Sequence, residues 1–263
     1  MMEKVDRLLN WFRDKDGVIV AFSGGVDSSV VAKAAFDVLG DNALAVTAKS
    51  STLAKSEFES AKRTAKEIGI KHLVIEEDEL EDPRFVKNPA ERCYYCREGL
   101  IKALKKIADE RNIRHILDGA NADDPLGHRP GLKALREYGA EGPLLELGFG
   151  KEDVREMALQ MGLSVYDKPS MACLASRIPY GEEITKTKLD MIEKAEDFLR
   201  GLEFRQVRVR CYGEIGRIEV LERDLEKAIE LRKEISKELR ELGFKYITLD
   251  LEGYRSGSMD EIL

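Results

Sequence analysis

The run Phe22-Ser23-Gly24-Gly25-Val26-Asp27-Ser28-Ser29 sets two adjacent glycines among hydroxyls, after a β-branched stretch and at the start of a helical pattern. Glycines let a backbone approach an anion closely, and a helix N-terminus offers free N–H groups and the positive end of a dipole. The hydroxyls of Ser23, Ser28 and Ser29 add donors for phosphate oxygens. A Walker A loop needs a lysine that reaches the outer phosphates, and a dinucleotide fold needs G-x-G-x-x-G; this run has neither. It suits a pyrophosphate group, with Asp27 placed to cap the helix or to bind Mg2+. The alternative is an ordinary glycine turn capped by Asp27.

Thiols form a second group. Cys93 and Cys96 stand as Cys-x-x-Cys, Cys173 lies in Pro169 to Arg177, and Cys211 is isolated. The pair reads as a metal clamp, a redox pair or chance, although its charged flanks (Glu91-Arg92, Arg97-Glu98) do not match a thioredoxin-type start. Cys173 falls in a glycine- and proline-bounded connection, a poor place for a core thiol and a good one for a reactive or metal-binding thiol. Cys211 alternates with Val207 and Val209, which places it on an apolar strand face as a small buried hydrophobe. The same alternation puts Arg208 and Arg210 on the opposite face, ~7 Å apart. Two such guanidiniums suit a phosphate or carboxylate; the alternative is a solvated face paired with Glu219. Asp118 to Asp124 gathers Asn121, Asp123 and Asp124, within reach of Mg2+ or a ribose, or simply bonding their own backbone as Asx turns. Arg129 adds a phosphate clamp.

These groups need a scaffold, and the apolar pattern supplies one. Residues 18–22, 43–48, 72–75 and 114–118 read as strands, with 144–147 as a fifth. Helical patterns run over 27–39, 55–68, 93–111 and 151–161. Strands separated by helices of this length predict an α/β fold with a parallel, doubly wound sheet covered on both faces. After the connection 168–182 the rhythm changes: a helix over 184–200, strands at 206–211 and 217–221 joined by the turn 212–216, a charged helix over 224–242 and a strand at 246–251. That is a smaller α+β domain. The division is 1–167, a cysteine-bearing connection 168–182, and 183–263, with the tail from Gly253 expected to be loosely ordered.

Composition narrows the classes. The 263 residues are 43% hydrophobic and 35% charged, enough apolar material for a core, so global disorder is excluded. Only seven residues are Asn or Gln, which with the charge excess fits heat adaptation. No uncharged apolar run spans a bilayer, and the opening residues are too charged for a signal peptide, so a cytoplasmic protein without a membrane partner is expected. The net charge of −7, acidic on both sides of Glu183, argues against a nucleic-acid partner. Four cysteines in such a chain are not a disulfide framework.

Ser-Gly-Gly-x-Asp-Ser after the first strand resembles the PP-loop of the ATP pyrophosphatases, found in GMP synthetases, NAD synthetases and tRNA-thiolating enzymes. The resemblance covers about residues 15–165 and implies ATP, with adenine near Ala21, Ala48 and Lys49 and phosphates on Ser23, Gly24, Gly25, Asp27 and Ser28. Glu-Arg-Cys-Tyr-Tyr-Cys (91–96), Asp-Gly-Ala-Asn-Ala-Asp-Asp (118–124), Arg-Pro-Gly-Leu (129–132), Ala-Cys-Leu-Ala-Ser-Arg (172–177) and Val-Arg-Val-Arg (207–210) together resemble the LarE-type sulfur transferases, across nearly the whole chain. That resemblance implies thiolation of pyridinium-3,5-biscarboxylic acid mononucleotide on the way to the nickel-pincer nucleotide. It also implies binding of the substrate phosphate by Arg208 and Arg210, and a homo-oligomer. Some members sacrifice the sulfur of one loop cysteine, matching Cys173; others add the Cys-x-x-Cys pair. This sequence has all three thiols. Three thiolates on a 4Fe–4S cluster leave one iron without a protein ligand, able to hold a hydrosulfide through repeated turnovers. Zinc on Cys93, Cys96 and Cys173 is the alternative, as are thiols without a metal. The immediate sulfur donor is not legible. A tRNA-thiolating enzyme and a non-enzymatic nucleotide or iron–sulfur module are the rival readings.

Overall fold

The computed structural model describes residues 2–124, 130–169, 172–255 and 257–259. Elements follow in chain order: α1 (Met2–Trp11), β1 (Val18–Ala21), α2 (Val26–Leu39), β2 (Ala43–Lys49), α3 (Lys55–Ile68), β3 (Lys71–Glu76) and α4 (Pro83–Val86). Next come α5 (Arg92–Arg111), β4 (His115–Leu117), α6 (Pro130–Glu137), α7 (Pro143–Glu146), α8 (Lys151–Gln160) and α9 (Lys186–Gly201). The chain ends with β5 (Val207–Tyr212), β6 (Ile215–Val220), α10 (Leu225–Glu230), α11 (Arg232–Glu241) and β7 (Tyr246–Leu249). Two compact units result. The first comprises residues 1–79 and 91–171, the second 80–90 and 172–263.

In the first unit four parallel strands lie in the order β3-β2-β1-β4, with Val18 opposite Ala43 on one side and His115 on the other. Alternation divides the strands between two cores, as a period of two requires. Val18, Val20, Ala43, Ala45 and Leu117 pack with α2 and α8, while Ile19, Leu44, Val46 and Ile116 pack with Leu104 and Ala108 of α5. Both faces are covered, which is why these short strands are apolar almost throughout. The expected fifth strand at 144–147 is instead α7. Pro143 starts that helix at a position where its missing N–H costs nothing. The sheet is extended there by one residue only, Glu141, whose N–H donates to Ile116 O at 2.9 Å and whose carbonyl accepts from Asp118 N at 2.9 Å.

The second unit carries β5 antiparallel to β6 and β6 parallel to β7. The hairpin turn is tighter than the expected 212–216: Tyr212 pairs with Ile215, leaving Gly213, at φ 57°, and Glu214 as its two-residue loop. The charged helix expected over 224–242 is broken at Leu231 into α10 and α11. The described part of the tail is packed rather than loose. Tyr254 N donates to Val220 O at 2.7 Å, and Ser258 and Met259 are buried. Residues 80–90, which the sequence leaves inside the first domain, join this unit through buried Asn88. Its amide donates to the carbonyls of Ile178, Pro179 and Glu182 at 3.2, 2.7 and 3.0 Å.

A buried ion pair organises this unit. Arg177 and Glu196 meet in a two-bond fork, Nε to Oε1 at 2.8 Å and Nη2 to Oε2 at 3.0 Å, and both side chains are almost fully inaccessible. Burial pushes the Glu196 carboxyl up. The charge and hydrogen bonds of Arg177, then Arg208 and the N–H of Val209, outweigh it and hold the group below the ordinary glutamate value. The linked stability is therefore complete above about pH 4.3 and is lost as pH falls through the depressed value. Glu196→Gln leaves Arg177 buried and uncompensated and should cost about 3–5 kcal/mol at pH 7 in urea unfolding, with the gap to the native chain closing in acid. Equal stability at pH 7 would contradict the pair's role.

Candidate functional site

The phosphate loop leaves β1 at Ala21 and enters α2 at Val26, with Gly25 as its N-cap. Gly24 has φ 67°, and a Cβ there would lie 2.4 Å from Ala61 Cα, so no side chain fits between the loop and α3. Ser23 and Ser28 face one another with hydroxyls 3.1 Å apart, and Gly25 N makes a long 3.3 Å bond to Ser23 Oγ. Ser29 is buried within the unit. Gly119, in the loop after β4, comes equally close from the other side, its notional Cβ 2.9 Å from Ser28 N. The loop is therefore a backbone cradle held between α3 and the β4 loop.

Asp27 does not cap its helix; no side-chain cap bond is made at that terminus. Its carboxylate turns toward the acidic segment, accepting from Asn121 Nδ2 at 3.0 Å and pairing with the ammonium of Lys151. Asp123 Oδ2 accepts from Lys151 N at 2.6 Å, and Asp124 Oδ2 from Asn121 N at 2.9 Å. Thus Asp27, Asn121, Asp123 and Asp124 form one network, as their types suggested. Asp124 and Asn121 also bond the local backbone, so the Asx-turn reading holds alongside. The Lys151 ammonium thus already neutralises the Asp27 carboxylate. Ala21, Ala48 and Lys49 lie at the carboxyl ends of β1 and β2, with Lys49 2.9 Å from Glu76. Arg129 lies outside the described residues.

Cys93 and Cys96 fall in the first turns of α5, one helical turn apart, Cys93 exposed and Cys96 partly so. Cys96 Sγ donates to Glu79 Oε1 at 3.4 Å, and Thr52 donates to the same oxygen at 3.1 Å. Arg97 follows and pairs with Asp118 at 3.1 Å. Asp118 foremost, then Cys96 and Cys93, hold the Arg97 charge in place against burial. At the start of α6, a Cβ added to Gly131 would lie 3.2 Å from Arg97 Cγ and 3.5 Å from Cys93 O, so α6 passes close to the thiol pair. These contacts bring the thiol pair to the carboxyl end of the sheet, the side where open α/β sheets bind ligands.

In the second unit Cys173 is exposed at the head of a short 3-10 turn, Leu174–Arg177. Arg177 Nη1 donates to the carbonyls of Ala172 and Cys173 at 2.8 and 3.0 Å, tying the thiol-bearing segment to the buried ion pair. Arg208 and Arg210 are not on a solvated face; both are buried. Arg210 bonds Glu219 at 2.7 Å, Ser258 Oγ at 3.0 Å and Ser176 O at 3.0 Å, while its buried Nε has no partner among the described residues. Arg208 lies over the Tyr254 ring, and burial first, then the like charge of Arg177, pull its pKa down. Arg177 and Arg200 bond Glu196, while Arg210 and Arg217 bond Glu219. Arg200 also pairs with Asp197 and Arg217 with Asp250, so the five guanidiniums, counting Arg208, stand among four carboxylates. Cys211 is buried as expected, with its thiol pushed up to about 11 by burial and by Glu182.

Among the described residues no group of three or more His, Cys, Asp or Glu side chains is gathered as a metal site, and no helix is long and apolar enough to cross a membrane. Sequence reasoning missed Lys151, Glu79, Asn88 and Lys168, which carry no local motif. Lys151 had one signal, its place at the start of a helix after a glycine.

The NAD synthase family matches residues 6–86. An uncharacterised protein of Synechocystis sp. is 41% identical over 262 residues, 99% of this chain and 98% of its own. The pyridinium-3,5-bisthiocarboxylic acid mononucleotide synthase of Lactiplantibacillus plantarum is 39% identical over 252 residues, 95% of this chain and 91% of its own. An uncharacterised protein of Methanocaldococcus jannaschii is 31% identical over 258 residues, 97% of this chain and 98% of its own.

Alkylation at pH 8 read by peptide mass mapping should label Cys93 and Cys173 first, Cys96 more slowly, and Cys211 only after denaturation, because a neutral buried thiol is a poor nucleophile. Labelling of Cys211 at the rate of Cys173 would contradict its packing role.

Proposed function

Because this chain belongs to the LarE-type family of PP-loop ATP-dependent sulfur transferases, we propose that it converts pyridinium-3,5-biscarboxylic acid mononucleotide to its thiocarboxylate in nickel-pincer nucleotide synthesis. The observation that carries this reading is the 39% identity, over 95% of the chain, to an enzyme named for that product, together with a phosphate loop of the required shape.

In the proposed reaction a substrate carboxylate oxygen attacks the α-phosphorus of ATP and the bond to pyrophosphate breaks. An acyl adenylate results. A sulfur nucleophile then adds to the acyl carbon and AMP leaves with the electron pair of the breaking C–O bond. Adenylation matters because oxide is a poor leaving group from a carboxylate and AMP is a good one. Gly24, Gly25, Ser23 and Ser28 hold the departing pyrophosphate with N–H and O–H donors. Asp27, Asp123 and Asp124 are the proposed carboxylates for Mg2+; they are not gathered around one point, and would exchange their Lys151 and Asn121 partners for the ion. Arg208 and Arg210 bind the substrate phosphate, a reading supported by the buried Arg210 Nε, which has no partner among the described residues.

Cys93, Cys96 and Cys173 are the proposed sulfur-handling residues. Their accessible thiols suit soft metal ligation, and Cys93 and Cys96 share one edge of α5. A 4Fe–4S cluster on these three thiolates would supply an iron open to hydrosulfide.

Pyrophosphate release should depend on the pyridinium dicarboxylate mononucleotide; stimulation by tRNA and not by that nucleotide would overturn the reading. Anaerobically purified protein should hold iron and acid-labile sulfide, and stoichiometric zinc without iron would remove the cluster. Arg208→Ala should raise the KM for the mononucleotide and leave ATP affinity unchanged; an unchanged KM would count against the phosphate site.

A further inference from the structure

The phosphate loop lacks a lysine of its own, yet one reaches it from 144 residues away. Lys168 Nζ lies 3.2 Å from Gly24 O, 2.9 Å from Ser60 Oγ and 2.9 Å from Glu57 Oε2, and its side chain is 16% exposed. An ammonium has three N–H donors, and here each has an acceptor. Two of the three acceptors belong to α3, the helix whose Ala61 is pressed against Gly24. The lysine therefore sits in the seam between the loop and its support, bonded to both.

The consequence follows from peptide geometry. In a planar trans peptide the C=O and N–H point in opposite directions, so fixing Gly24 O fixes the direction of Gly25 N–H. With Gly24 O turned to Lys168, Gly25 N–H points instead to Ser23 Oγ, which is 3.1 Å from Ser28 Oγ. That is the hydroxyl-lined interior of the cradle. The 3.3 Å bond it makes there is long, so a phosphate oxygen can replace it at little cost. A positive charge at the carbonyl also polarises the peptide and makes its N–H the stronger donor. Gly24 is pressed against α3, but the peptide that follows it can still turn, since neither glycine has a side chain to restrict it. Glu57 balances the ammonium, which suits an orienting role rather than direct attachment to ATP.

We propose that Lys168 is a positioning residue for the pyrophosphate end of ATP, setting the Gly24–Gly25 peptide so that Gly25 N–H faces the anion. This rests on the reading that the loop binds ATP. Lys168→Met should weaken ATP binding, measured by titration calorimetry, by about tenfold or more, as loss of a charge-assisted hydrogen bond implies. Inorganic pyrophosphate should lose affinity in parallel. Lys168→Arg, which keeps the charge and donors, should recover most of the loss, and kcat at saturating ATP should change far less than the KM for ATP. Ser60→Ala, which removes one acceptor and leaves the Gly24 contact, should bind ATP nearly as the native chain does. Native-like ATP affinity in Lys168→Met would overturn the proposal, as would a loss that Lys168→Arg fails to recover or a fall in melting temperature that accounts for it. Absence of ATP binding by the native chain would instead overturn the reading beneath it.

Discussion

Gly24 lies so close to Ala61 that the phosphate loop and α3 share one backbone-to-backbone surface, and the candidate site is built outward from that contact. A side chain at residue 24 would lift the loop from the helix and turn its N–H groups away from the space between Ser23 and Ser28. Gly119 imposes the same limit from the β4 side, so the loop is held by two close approaches rather than by side chains of its own. The charged groups then arrange themselves around a fixed backbone. Asp27 projects from the first turn of α2 toward Asn121 and Lys151, and Lys168 closes the seam behind Gly24. A parallel sheet with both faces buried makes this possible, because it leaves only the carboxyl edge free for loops that do chemistry.

The second unit solves a different problem, how to hold guanidiniums inside a folded structure. Each buried arginine would be costly alone. Glu196 and Glu219 offset part of that cost, and the backbone carbonyls of Ala172, Cys173 and Ser176 take further donors. The arrangement does two things at once. It sets carboxylates against the guanidinium charge, and it makes the segment that carries Cys173 a dependant of the Arg177–Glu196 pair. The exposed thiol of Cys173 thereby gains a defined backbone.

Much of this was legible in the sequence, for identifiable reasons. The glycine pair after a buried strand marked the loop because few other sequences satisfy a tight turn, a close approach and a helix start together. The alternation at 207–211 placed Cys211 and the two arginines on opposite faces, although it could not reveal that both faces are covered. The run 144–147 misled because three leucines around Glu146 fit a strand or a helix equally, and Pro143 decided for the helix. Lys151, Lys168, Glu79 and Asn88 were invisible. In a chain that is 35% charged, a single lysine or glutamate has no local signature, and its partner is set only by the tertiary fold. Asn88 shows the same limit for topology, since nothing in its neighbourhood announces that residues 80–90 pack with a unit that begins again at 172.

The central claim is that ATP is spent on making an acyl adenylate of the substrate before sulfur arrives. Substrate labelled with 18O in its carboxylates tests this directly, with AMP and product read by mass spectrometry after a single turnover. Attack by the carboxylate on the α-phosphorus predicts one 18O in AMP for each thiocarboxylate formed, the other oxygen staying with the product. AMP without label, alongside a thiolated product, would contradict the account.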